Sequence, residues 1–278
     1  MKKNFVSKII HKIFACLSLL RRGRFFVLAQ VFSEAFIPKR FFGLNKHIFY
    51  SLAKDKQLLV STSDIVDKIE IVLGTKESVA EIVRDLYSDD SAALEFYENF
   101  YHEGIEPWIA RYNDKAVGVV WLYTGYYLAN WEGYAAWLLQ IQIEPTAKFV
   151  ANVFVEPSRR GQKIFPLIMT HCTSIYCNNK FYSCVDESNV TSIKAHERIG
   201  FRWCAAAYYI RFFQRTYCIF LTKKDKNSWK RRCFMLPRGK AVPVSIFVSD
   251  ADSADSDLNS ADLISDFNSN SNSNLKIE

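Results

Sequence analysis

Residues 155–165 read VEPSRRGQKIF, a turn of basic residues about a glycine. Arg159, Arg160 and Lys163 surround Gly161 and Gln162, after a Val-x-Pro of the kind that closes a strand and before Ile164, where apolar sequence of helical spacing begins. A glycine among basic residues at a strand-to-helix junction lets backbone N–H groups and the positive end of a helix converge on one anion. Arg160 can add a planar fork and Lys163 a point charge. The guest such a turn suits is a phosphate.

Other groups of titratable or ligating type are scattered more widely. Glu144 and Glu156 flank the apolar run FVANVFV and are carboxylates available for proton transfer. Asn189, Thr191 and Ser192 precede His196 in NVTSIKAHERIGF; all three are good N-terminal capping types, and Asn189 is also a side-chain donor and acceptor. Tyr97, Tyr101, His102, Trp121, Tyr126, Tyr127, Trp131 and Trp137 form an aromatic-rich set with Glu132 between Trp131 and Gly133. Such aromatics either build core or stack on a ring or a cation, and Glu132 is placed to anchor an amine. His171, Cys172, Cys177 and Cys184 lack the paired C-x2-C spacing of zinc sites, so no metal is expected. Seven cysteines, an odd and irregularly spaced set, fit free thiols in a reducing, cytoplasmic compartment.

The elements that must position these groups follow from periodicity. Ile69–Leu73 reads as a strand, and 77–87 and 91–101 as helices. Residues 108–112 and 116–123 read as strands joined through Asn113-Asp114-Lys115 in a hairpin. Residues 149–155 suit a central strand buried on both faces, 164–176 a helix, 181–185 a strand and 191–199 a helix, with two aromatic strand-like segments after it. This order predicts an α+β domain around one mixed sheet.

That order, with the two motifs in place, resembles the GNAT superfamily of acyl-CoA-dependent N-acyltransferases over residues 67–222. The family's Arg-x-x-Gly-x-Gly/Ala falls on Arg160, Lys163 and Phe165, so both of its glycines are replaced. Its Asn-x-x-Ser, helix and Gly-Phe ending fall on Asn189, Ser192, Gly200 and Phe201. The resemblance implies a mostly antiparallel central sheet flanked by helices and acetyl-CoA as co-substrate. It also implies a bulged fourth strand whose backbone at Phe154 and Val155 would meet the pantetheine amides, with Arg159 to Ile164 at the pyrophosphate and Asn189 and Ser192 nearby. The tyrosine that often protonates the departing thiolate is His196 here, which is either that acid or a structural helix residue. Glu156 and Glu144 match no fixed family position as base. Tyr97, Tyr101, Trp131 and Glu132 are the acceptor-binding residues the resemblance suggests, for a small amine such as an amino sugar of cell-surface glycans. The lost glycines and tyrosine leave open a catalytically degenerate acyl-CoA-binding module.

The ends of the chain differ from its middle. Residues 1–60 carry twelve Lys/Arg against Glu34 and Asp55, a net of +10, and the first twenty have an amphipathic helical pattern with a basic face. This extension suits peripheral docking on an anionic membrane, or a helix laid on the protein's own core; it also admits a membrane-surface scaffold as an alternative function. It is too short and broken to span a bilayer. Residues 223–240 read as a basic linker, with no nucleic acid expected as partner. Residues 241–278, at net −6 and rich in Ser and Asn, read as a disordered tail. The domain itself is placed at 61–222.

Overall fold

The computed structural model of the chain describes residue 29 and residues 42–52, 68–88, 90–101, 104–130, 138–213, 215–223, 229–236 and 242–245. In chain order they form β1 (Phe42–Leu52), β2 (Glu70–Leu73), α1 (Ser78–Leu86), α2 (Ser91–Phe100), β3 (Ile105–Tyr112), β4 (Lys115–Tyr123), β5 (Tyr126–Asn130) and β6 (Leu138–Gln142). These are followed by β7 (Ala147–Val155), a 3-10 turn (Pro157–Arg159), α3 (Ile164–Ile175), β8 (Lys180–Asp186) and α4 (Val190–Arg198). Then come β9 (Arg202–Phe212), β10 (Arg215–Lys223), β11 (Trp229–Leu236) and β12 (Val242–Ser245). The chain divides by its internal contacts after Ile246, and residues 247–278 lie outside the described part.

Local sequence explains several of these elements directly. Val79, Ile82, Val83 and Leu86 of α1 are buried at the i, i+3, i+4, i+7 spacing of a helix with one apolar face. Asn113 and Asp114 both take positive φ, 50° and 60°, between the paired residues Tyr112 and Lys115. That is the two-residue turn whose twist matches a hairpin, and Asn and Asp tolerate it. β7 is buried from Ala147 to Ala151, whereas Asn152–Val155, the second half of the apolar run, is part-buried where the strand leaves its neighbour, so the expected burial on both faces holds only for its first half.

The larger sheet has nine strands in the order β11-β10-β9-β1-β8-β7-β4-β3-β2, and a second ladder runs β12-β6-β5. Among the described strands of the large sheet only β7 and β8 are parallel neighbours. Successive residues of β4 point to opposite faces. Val120 and Leu122 join Ile164, Phe165, Ile168, Met169 and Cys172 of α3 in the main core cluster, while Trp121 stacks on Tyr97 of α2 at 4.7 Å. The mostly antiparallel α+β architecture expected from the sequence is therefore present.

Three elements fall where the sequence places other things. β1 lies in the middle of the sheet, paired antiparallel with both β8 and β9, although 42–52 belongs to the segment read as an N-terminal extension. β11 pairs along its whole length with β10, within the stretch read as a linker. β12 runs parallel to β6 inside the stretch read as tail. KHIFYSLAKD at 46–55 is strand-like in sequence, but its place between β8 and β9 is not a local property; β11 is rich in charge and β12 pairs far away in sequence, so local periodicity does not reveal them. The amphipathic pattern of residues 1–20 lies outside the described residues.

Candidate active site

The site begins where β7 and β8 part. They pair from Ala147 with Lys180 to Val150 with Ser183 and no further. Beyond that point β7 stays with β4, through Phe154 on Val119 and Val155 on Gly118, while β8 stays with β1, through Asp186 on His47. The sheet thus opens between its two parallel central strands, and backbone groups of Ala151–Val155 on that side are not used by β8. The same strand is bulged: three steps from Ala151 to Phe154 oppose two from Trp121 to Val119, and Asn152 sits at φ 48°. Asn152 Nδ2 donates to the Tyr123 hydroxyl at 2.8 Å, which ties the bulge to β4.

The basic turn stands at the mouth of this opening. Gly161 has φ 86° and a Cβ there would meet nothing within 4 Å, so glycine is needed for its backbone angle while the space in front stays open. Lys163, the N-cap of α3, is held at φ 63° in the left-handed region. The first N–H groups of α3 have no partner within the helix, and Pro166 has none to offer. Gly118 of β4 lets α3 come close, since a Cβ there would stand 2.7 Å from Ile164 Cγ2. Ile164 is therefore core by its side chain, at 2% exposure, and can meet an anion only by its backbone.

The arginines divide. Arg160 is exposed and its Nε donates to the Val155 carbonyl at 3.2 Å, with the guanidinium 5.9 Å from the Phe154 ring. Arg159 turns away, over the Tyr112 ring at 4.1 Å and against Glu156 at 3.3 Å. Gln162 is partly buried with its N–H on the Arg159 carbonyl at 3.3 Å. Arg160, Gly161 and Lys163 are thus the solvent-facing part of the turn.

The expected acid and bases are placed differently from a proton-transfer role. His196 is buried to 2% exposure on α4. Its Nδ1 donates to the Ser192 carbonyl at 2.8 Å and its Nε2 lies 2.9 Å from Ser183 Oγ, whose O–H then donates to it. The ring packs between Tyr50, Phe165 and Phe201, at 6.0, 4.9 and 5.3 Å. Burial pushes its pKa down to about 4, with the Ser192 carbonyl opposing. A neutral imidazole whose only N–H is already donated has no proton to give near neutral pH, which corrects the reading of His196 as general acid. Ser192 serves that histidine, and Asn189 caps α4 by accepting from Ser192 N–H at 3.0 Å, the capping alternative.

Glu144 precedes the far end of β7, about 26 Å of strand from Val155 at roughly 3.3 Å per residue, and pairs with Lys180 at 3.5 Å. It is corrected out of the site. Glu156 is at the right end but is engaged with Arg159 and accepts from Ser158 Oγ at 2.7 Å. Tyr97, at 8% exposure, shares a hydrogen bond of 2.7 Å with Tyr87 and stacks on Trp121, so it is wall rather than open contact. Tyr101 is half-buried beyond α2. Trp131, Glu132, Trp137 and His102 lie outside the described residues.

The aromatics named from the sequence were not placed together by it: Tyr97, Trp121 and Tyr127 join Tyr87, Tyr123, Phe149 and Phe154 on the α2 side of the sheet. Tyr87 packs on Phe154 at 4.6 Å; Tyr127 lies between Tyr123 and Phe149, at 4.8 Å from each. Burial raises the hydroxyl pKa of Tyr87, Tyr97, Tyr123 and Tyr127, so all four are neutral donors. The period-2 pattern that puts Val119, Trp121 and Tyr123 on one face of β4 is visible in sequence; which side of the sheet that face looks onto is not. Among the described residues no three His, Cys, Asp or Glu side chains group as metal ligands, and no helix is long and apolar enough to cross a membrane.

Residues 76–201 match the Acetyltransferase (GNAT) family. No curated protein matches the sequence. Among solved structures, a conserved protein of unknown function from Staphylococcus epidermidis is 16% identical, with 66% of each chain covered and a TM-score of 0.47. A GCN5-related N-acetyltransferase from Sphaerobacter thermophilus is 12% identical over 67% of this chain and 56% of its own, with a TM-score of 0.43. A GNAT-family acetyltransferase from Colwellia psychrerythraea is 15% identical over 61% of this chain and 55% of its own, at 0.38. The chain spans less than two thirds of the length of these structures.

Proposed function

We propose that the chain is an acetyl-CoA-dependent N-acetyltransferase of the GNAT family, which residues 76–201 match, and that it passes the acetyl group directly to a small amine. The observation that carries this is the opening between β7 and β8 with a basic, glycine-containing turn at its mouth. Arg160, Lys163 and the N–H groups that begin α3 hold the pyrophosphate. Unpaired backbone of Ala151–Val155 meets the pantetheine amides, as an added strand would, and N–H groups there polarise the thioester carbonyl. The amine nitrogen attacks that carbonyl, the C–S bond breaks, the nitrogen sheds a proton and the sulfur gains one. His196 supplies neither proton.

Binding moves Arg160, because its guanidinium lies on the Val155 carbonyl that a pantetheine amide would use. The expected result is a rise in melting temperature with acetyl-CoA, since a ligand that binds only the folded state stabilises it. In Arg160→Ala the affinity measured by calorimetry should fall by about 1–3 kcal/mol. Release of free CoA on adding amines tests the reaction; binding without release under any amine would leave the acyl-CoA-binding module, the reading favoured by the closed His196 and by Phe165 filling a small-residue position. No response to acetyl-CoA would dismiss both. An amino-sugar acceptor and contact of the N-terminal segment with anionic membrane remain part of the proposal, each checked by its own assay: glucosamine as acceptor and binding to anionic vesicles.

A further inference from the structure

The sheet face that carries Trp121, Tyr123 and Phe149 continues across the opening onto β8 and β1. Phe149 pairs with Tyr182 of β8, Cys184 follows on the same side of that strand and pairs with Phe49 of β1, and Tyr209 of β9 meets His47 edge-on at 5.8 Å. Asp186 is two residues beyond Cys184, on the same side of the strand, and is the cross-strand partner of His47. It is the last residue of β8, at the end where β7 has departed. This tract includes β1, a strand that lies outside residues 76–201.

The two carboxylate oxygens of Asp186 have different surroundings. Oδ1 accepts from Ser188 N–H at 2.7 Å and from Ser188 Oγ at 2.6 Å, which fixes the side chain as the chain turns towards α4. Oδ2 faces His47 Nε2 at 4.0 Å, past hydrogen-bonding range. The Asp186 side chain is 29% exposed and that of His47 only 6%. A carboxylate anchored by one oxygen presents the other towards the aromatic tract, with a buried ring as its back wall.

We propose that Asp186 Oδ2 binds the ammonium of the acceptor and that the acceptor is a small primary amine carrying a ring, which lies along the tyrosine-rich face. His47 is a positioning residue. Burial lowers its pKa to about 4 despite the nearby Asp186, so at neutral pH the ring is uncharged and leaves the carboxylate's charge to the ligand. Tyr87 and Tyr127 are the part-buried members of this face, while Tyr97, Tyr123 and Tyr209 are buried; their neutral hydroxyls and rings suit an aryl or sugar ring better than the chain of a polyamine. This inference rests on the N-acetyltransferase reading above and names the substrate class of that site.

The test is steady-state CoA release by the full chain with 2-phenylethylamine, glucosamine and spermidine, with acetyl-CoA affinity measured separately. The ring-bearing amines should be turned over in preference to spermidine. Asp186→Asn keeps the carbonyl oxygen that Ser188 uses, so it should fold with a near-normal melting temperature. It should raise KM for the accepted amine by about tenfold or more, the scale of a lost charge-assisted hydrogen bond. Its acetyl-CoA affinity should not change, and Asp186→Glu should recover part of the KM. An unaltered amine KM in Asp186→Asn, or preference for spermidine, overturns the inference and leaves the function standing. A wild type that releases no CoA with any of the three overturns it as well; whether acetyl-CoA then still raises the melting temperature decides the broader reading.

Discussion

His196 shows how one side chain can sit on a motif and do something other than the motif's usual chemistry. Its two nitrogens are spent on Ser192 and Ser183, and its ring fills the space between α4 and β1. The same burial that removes it from proton transfer makes it a stability device, together with His47. Both have folded pKa values near 4 against 6.5 in an unfolded chain. The unfolded chain therefore binds more protons between those values, so the stability these residues contribute is complete above pH 6.5 and is lost as pH falls towards 4. A shift of this size is worth about 3 kcal/mol per histidine. Thermal melts from pH 7.5 to 4.5 should show a marked fall in melting temperature that His196→Phe makes shallower; an identical slope in the variant would show that His196 is not neutral in the fold. Lys163 is a second case. It holds φ 63° where glycine pays no steric penalty, and the left-handed region costs other residues about 1–2 kcal/mol. After the extra chain entropy of glycine is subtracted, Lys163→Gly should gain about 0.5–1 kcal/mol in urea unfolding, with acetyl-CoA affinity held or tightened. Loss of stability would mean that Lys163 makes contacts worth more than its backbone strain.

At the scale of elements the decisive feature is a strand that leaves its neighbour. β7 departs from β8 after Val150 because the extra residue at Asn152 bends and twists it, and Asn152 is among the residue types that tolerate positive φ. Its side chain then holds the bend through Tyr123. A β-branched residue meets both problems at once: Asn152→Val loses the hydrogen bond and cannot easily adopt the angle. It should cost about 2–3 kcal/mol of stability and reduce acetyl-CoA binding by more than Tyr123→Phe, which loses only the hydrogen bond. Equal affinity in Asn152→Val and wild type, measured calorimetrically, would remove the bulge from cofactor binding.

At the scale of the whole molecule, the family-matched stretch is not a self-contained body. β1 lies between β8 and β9, and removing it would leave two facing strand edges unpaired in the sheet's interior. A chain starting at residue 61 is therefore expected to be insoluble or unfolded by far-UV circular dichroism, and a cooperative melt from it would show that β8 and β9 can close on each other. Removal of residues 247–278, which lie outside the described residues, should leave the melting temperature and its response to acetyl-CoA unchanged.

The parts legible in sequence were those decided within a few residues: the amphipathic α1, the Asn113-Asp114 hairpin, the strand β7 with its buried first half, the glycine turn before α3 and the Asn189 cap of α4. Each is set by local backbone preference, side-chain period or a short-range hydrogen bond, and these are properties of consecutive residues. The motif at 189–201 was legible as a pattern, yet the role of His196 was not, because desolvation and the Ser183 contact come from a strand thirteen residues away in sequence. The pairing of Asp186 with His47 joins residues 139 positions apart and depends on which strand fills the gap between β8 and β9. Long-range pairing of this kind is chosen by the collective burial of the whole sheet, so it exists only once the chain has folded.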